Sequence, residues 1–146
     1  MEHKKPLTIG LVIPAYNEAE SIVACLNAAL AQTRPFDEII VVDNNSTDDT
    51  VKIVKKFKGV TVITEKTQGV TYARDTAFNT IKTDVIGRID ADTLLEPDWA
   101  EEVLSVFADD DIAAATGPVY YHDMPAKPTG QKFDSVIRGG VDKLST

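Results

Sequence analysis

Short apolar runs rich in β-branched residues alternate along this chain with segments whose apolar residues recur at helical spacing. Residues 7–13 (LTIGLVI), 38–43 (EIIVVD), 60–64 (VTVIT), 85–89 (VIGRI) and 112–121 read as buried strands, the first ended by Pro14. Between them, Ile22, Val23, Leu26, Ala29 and Leu30 lie on one helical face, as do Val51, Val54 and Phe57. Tyr72, Ala73, Ala77, Phe78 and Ile81 mark a third helix. Trp99, Val103, Leu104 and Phe107 mark a fourth, with Pro97 at its first position. Strands alternating with helices imply βαβ units, a parallel sheet and right-handed crossovers, hence an α/β fold. Asn17, three residues before Glu20, predicts a cap with its return partner for the first helix, which stops before Pro35. Ser46 or Thr47 is placed to cap the second helix, with Asp48 and Asp49 in its first turn. Beyond Met124 the pattern weakens to a loop (DMPAKPTGQ) and a short helix (FDSVIRGGVDKLST).

A chain of 146 residues is the size of one domain, and 43% hydrophobic with 26% charged residues is globular composition. The formal net charge of −8 argues against nucleic acid or an anionic membrane as partner. The single cysteine, Cys25, excludes an internal disulfide and a cysteine-based zinc site, and fits a reducing compartment. No apolar run approaches the ~18 residues that a transmembrane helix needs. The start, MEHKKPLTIGLVIPAYNE, reads as a tail (residues 1–6) entering a strand rather than as a signal peptide.

In an open α/β sheet, ligands bind beyond the carboxyl ends of the strands. Three polar clusters fall there: PAYNE after the first strand, DNNSTDD after the second and DAD after the fourth. They bring Asp43, Asp90 and Asp92 to one edge. Read as an extended segment, Asp90-Ala91-Asp92 points both carboxylates the same way, a pair whose repulsion a cation relieves; oxygen donors suit Mg²⁺ or Mn²⁺. A solvated turn is the bland alternative. Asp43 is either functional or the residue of an Asx turn or helix cap. Arg74 is either a fork for phosphate oxygens or a surface partner of Asp75 or another carboxylate. Cys25 reads as helix packing and Trp99 as core rather than sugar platform. Lys52, Lys55, Lys56 and Lys58 read as a solvated face. His3 and His122 have no partner at metal-ligand spacing.

Four pieces in series carry a specific resemblance: VIPAYNE (12–18), VVDNNSTDDT (41–50), GVTYARDTA (69–77) and DADT (90–93). The chain resembles the N-terminal, nucleotide-sugar-binding part of family 2 inverting glycosyltransferases, which have the GT-A fold, a Rossmann-like αβα sandwich with a mostly parallel sheet. The resemblance spans residues 7–121 and implies roles by position. Pro14, Ala15, Tyr16 and Glu18 line the pocket for base and ribose. Asp43 bonds the base, usually uracil, and Arg74 approaches the base or diphosphate. Asp90 and Ala91 belong to the DXD motif, where Asp90 faces the ribose or donor sugar and Asp92 holds the divalent metal. The expected donor is a UDP-sugar, with inversion at the anomeric carbon and an acceptor the motifs leave unnamed. The expected location is the cytoplasm, at the inner face of the membrane in a full-length form.

Asn44 stands where a second acid is frequent, and Asp75 where asparagine is usual. The family places its general base well beyond the metal motif. Nothing after Asp92 reads as that motif, Asp123, Asp134 and Asp142 included, so residues 122–146 are expected to start an acceptor-side region that is cut short. The alternatives are a binding fragment without turnover, a module that self-associates through an exposed sheet edge, and a haloacid-dehalogenase-type phosphohydrolase. The last matches IDADTLL alone and leaves PAYNE and VVDNNSTDD unexplained. No G-x-G-x-x-G follows the first strand, which disfavours a dinucleotide dehydrogenase.

Overall fold

The computed structural model describes residues 4–119 and 132–138. The readings for His3, for residues 120–131 with His122 and Asp123, and for residues 139–146 with Asp142 fall outside them. In chain order the elements are β1 (Ile9–Ala15), α1 (Ile22–Leu30), β2 (Glu38–Asp43), α2 (Thr50–Val54), β3 (Thr61–Thr64), α3 (Val70–Thr80), β4 (Val85–Arg88), α4 (Trp99–Phe107), β5 (Ala114–Val119) and β6 (Lys132–Arg138).

The strands form one sheet in the order β3-β2-β1-β4-β6-β5. β1 is parallel to β2 and β4, and β2 is parallel to β3; β6 is antiparallel to both β4 and β5. The central strand β1 and the apolar run Ile39–Val42 of β2 are buried on both faces because both faces are covered. Leu11, Ile13, Ile39 and Val41 pack with Ile22, Cys25 and Leu26 of α1 and Val54 of α2. Val12, Ile40, Val42 and Ile86 meet Ala73, Ala77 and Ile81 on the α3 side. Ile9 and Val85 meet Ala100 and Phe107 of α4. This is the αβα sandwich expected. Lys52, Lys55, Lys56 and Lys58 are exposed, as a solvated face should be.

β1 runs through Pro14 rather than ending before it. Its pairing with β4 stops at Val12, whereas its register with β2 continues to Ala15. The carbonyl of Val12 accepts from Ile89 N on the β4 side, so Pro14, two residues on, turns its missing N–H to the side where that ladder has ended. The segment read as a short helix from Phe133 is instead β6. It is only seven residues long and carries Val136 and Ile137, and the slot between β4 and β5 supplies two hydrogen-bonding neighbours.

Trp99 packs inside the fold, tilted against Phe36 with ring centroids 6.0 Å apart. Gly87 makes room for it: a Cβ there would lie 2.7 Å from Trp99 Cη2. Gly87→Ala should therefore destabilise the domain by about 1–3 kcal/mol, the usual cost of overpacking. Denaturant unfolding followed by the fluorescence of Trp99, the one tryptophan, measures this. An unchanged midpoint would mean that the ring does not lie over β4.

Candidate functional site

Beyond the carboxyl ends of the strands, the chain leaves β2 toward β3 on one side of β1, while β4 flanks β1 on the other. Connections diverge at such a point and leave a crevice. A cleft of about 350 Å³ lies there. Pro14, Ala15, Tyr16 and Glu18 line it from the end of β1, and Asn44 from the end of β2. Val70 and Ala73 come from α3, and Arg88, Asp90, Ala91 and Asp92 from the end of β4. A hollow of similar size, about 340 Å³, sits against Lys5, Leu7, Arg34 and Leu104, and none of the motif residues lines it.

The β1–α1 and β2–α2 loops are bound together. Asn17 has φ 52°, a left-handed conformation that asparagine tolerates. Its backbone N donates to Ser46 Oγ (2.9 Å), and its side-chain oxygen accepts from the N–H of Thr47 (2.7 Å) and of Asp48 (3.3 Å). Glu18 N donates to Thr50 Oγ1 at 2.9 Å, and Ala19 N to Asp48 Oδ2 at 3.1 Å. Asn17 thus serves the neighbouring loop rather than capping α1, whose N-cap is Ser21 without a side-chain cap bond. Glu18, not Glu20, reaches that region: it accepts from Ser21 Oγ at 2.6 Å. The cap of α2 also shifts, from Ser46 or Thr47 to Asp49, with Asp48 Oδ1 accepting from Thr50 N at 3.0 Å. The Thr50 hydroxyl holds the Asp48 carboxyl below its ordinary pKa, and the Thr76 hydroxyl does the same for Glu65.

Asp43 does not line the cleft. It is 3% exposed, and its carboxylate accepts from Ser46 N at 3.3 and 3.4 Å, the turn geometry its position allowed. Arg74 is exposed on α3 outside the cleft wall, yet near enough to the charges there to feel them. Partial burial and the charge of Arg88 lower its pKa, and Asp90 opposes that.

Asp90, Ala91 and Asp92 are not extended. Thr93 N donates to Asp90 O at 3.0 Å and closes a turn. Ala91 points into the core at 2% exposure, and Cys25 Sγ approaches Asp90 O at 3.8 Å from α1. A small apolar residue between two acids lets the turn seat itself while both carboxylates reach the cleft. Asp90 Oδ1 accepts from Arg88 Nη1 at 3.2 Å, so a guanidinium already offsets part of the acidic pair's repulsion. Arg88, 9% exposed, went unread in the sequence. Its signal was a charged residue inside VIGRI, a strand otherwise apolar on both faces.

The family model for glycosyl transferase family 2 matches residues 11–138. The chain belongs to glycosyl transferase family 2. Chondroitin synthase of Escherichia coli is 36% identical over 111 residues, which cover 73% of this chain and 16% of that one. The chain spans less than a third of the length of the curated relatives it matches. Among solved structures, S. aureus TarS 1–349 in complex with UDP superposes with a TM-score of 0.77 at 18% identity, over 91% of this chain and 47% of that one. The mannosyltransferase PcManGT from Pyrobaculum calidifontis, in complex with GDP-Man and Mn²⁺, gives 0.72 at 24% identity, over 90% and 44%. The fold of this family 2 chain is accordingly GT-A, and the phosphohydrolase alternative falls away. No helix among the described residues is long and apolar enough to cross a membrane.

Proposed function

We propose that this family 2 chain is the donor-binding part of a glycosyltransferase that takes a nucleotide-diphosphate sugar, UDP-linked, together with Mg²⁺ or Mn²⁺, and passes the sugar to an acceptor with inversion. The observation that carries the reading is the cleft at the β1/β4 divergence, lined by an apolar wall, by the acidic residues Glu18, Asp90 and Asp92 and by Arg88. Neighbours of the same fold bind UDP or GDP-Man with Mn²⁺, which supports the ligand class.

In this reading Pro14, Ala15 and Tyr16 form the face against which base and ribose rest, and Glu18 borders it. Asp43, behind that face, fixes the loop through its bonds from Ser46 N. The donor set fits a hard divalent cation. Asp92 is exposed on the cleft, and no hydrogen bond or ion pair among the described residues engages its carboxylate. The absence of a three-ligand cluster among those residues does not count against the fit, because Mg²⁺ or Mn²⁺ needs only one or two carboxylates when phosphates supply the rest. Asp92 would hold the cation, with Asp90 beside it. When bound, the cation neutralises the charge that develops on the departing diphosphate. Arg88 keeps Asp90 turned into the cleft, where its second oxygen meets a ribose or sugar hydroxyl. Arg74 approaches the diphosphate from α3. The location proposed is the cytoplasm, at the inner face of the membrane in a longer form.

In a thermal-shift experiment, UDP at about 100 times its Kd with Mn²⁺ should stabilise the chain by about 2.7 kcal/mol, roughly 5–10 °C for a domain this size. Equal stabilisation in chelator would overturn the metal assignment; none in either buffer would overturn the nucleotide. Donor hydrolysis and sugar transfer, assayed separately from binding, test whether the chain turns over.

A further inference from the structure

Asn44 uses its side-chain amide more fully than any other group beside the cleft. It is 5% exposed. Nδ2 donates to the carbonyls of Glu65 (2.9 Å) and Thr67 (2.8 Å), and Oδ1 accepts from Gly69 N at 2.9 Å. Its own backbone N donates to Ala15 O at 2.9 Å, so the residue is anchored to the end of β1. Gly69, with φ 139°, is the N-cap of α3 and has no side-chain cap bond. The loop before α3 is tied to that helix from within, because the Glu65 carboxylate accepts from Thr67 N at 2.8 Å and from the Thr76 hydroxyl. Loop and helix start therefore form one unit, and Asn44 joins that unit to the sheet.

We infer that Asn44 is a positioning residue of the donor site: its amide fixes the start of α3, and through it Arg74, against the ends of β1 and β2. The inference rests on the donor-site reading above and extends it to a residue that makes no demand on the ligand. An amide is required because the group must donate to two carbonyls and accept from an N–H at once. An aspartate in its place could still accept from Gly69 N and from Gln68 Nε2, but it would set its charge against Glu65 O and Thr67 O. On this account, exchanging the two is not conservative in this chain, although they have the same shape.

The test is a double-mutant cycle on UDP affinity by calorimetry in Mn²⁺, with circular dichroism confirming the fold. Losing one well-placed contact at each site corresponds to about tenfold in affinity. Asn44→Ala and Arg74→Ala should each weaken binding by about tenfold, and Arg74→Ala should cost less than about twofold once Asn44 is alanine. A merely structural role for Asn44 predicts full additivity, and additivity overturns the inference, as does an Arg74→Ala variant that binds like wild type. Asn44→Ser, which keeps an acceptor for Gly69, serves if the alanine variant does not fold. Amide exchange supplies a ligand-free reading: the Gly69 and Thr67 amides should exchange faster in Asn44→Asp, and unchanged protection would overturn the inference. If wild type fails to bind UDP, the donor-site reading has failed, and amide exchange still decides whether Asn44 holds the start of α3.

Discussion

Asp92→Ala should remove the manganese-dependent part of UDP binding, at least about tenfold in affinity or ~1.4 kcal/mol, and leave binding in chelator unchanged. The substitution should cost the fold little. The Asp92 side chain is exposed, the turn is closed by the backbone bond from Thr93 to Asp90, and Ala91 supplies the packing. Surface substitutions of this kind usually stay within about 0.5 kcal/mol. The loss is local because it removes a hard oxygen donor from the only place in the account where cation and diphosphate meet. Asp98→Ala, exposed at the N-cap of α4, changes net charge equally and is the control. Similar losses from both variants would reduce the effect to overall electrostatics.

Phe107→Ala should destabilise the domain by about 3–5 kcal/mol. Phe107 is the largest fully buried side chain among the described residues, and it closes the cluster with Ile9, Val85 and Ala100 at the starts of β1 and β4. That loss is a large share of the roughly 5–15 kcal/mol that stabilises a domain. Denaturant midpoints with an unchanged slope measure it. The cluster lies at the opposite ends of the strands from the cleft, so UDP affinity should be unaltered where the variant is folded. A cost below about 1 kcal/mol would mean that α4 does not pack on the sheet as described.

Much of this architecture is readable from residue patterns, for a physical reason. β2 falls on 38–43 as expected because its apolar run Ile39–Val42, buried on both faces, is bounded by Glu38 and Asp43. Pro14, Ala15, Tyr16, Glu18, Asp90, Ala91 and Asp92 meet in one cleft because the ends of parallel strands share one edge. What sequence reasoning missed depends on long-range partners. Asn17 looked like a cap, but its bonds go to a loop thirty residues on. The segment from Phe133 reads as a short helix, but up to Arg138 a slot between two strands decides its state. Asp90 and Asp92 reach the cleft through a turn rather than an extended segment, and Arg88, unread, accounts for how the first is held. Asn44 registered only as a departure from a family pattern, because three of its partners lie 21 to 25 residues away.

The donor-site reading stands or falls most directly on a crystal of this chain grown with UDP and Mn²⁺, with the metal located by its anomalous scattering. The expected result is one manganese about 2.1 Å from an Asp92 carboxylate oxygen and from diphosphate oxygens, with the uracil against Pro14, Ala15 and Tyr16. A nucleotide bound elsewhere, or one in the cleft with no metal at Asp92, would contradict it.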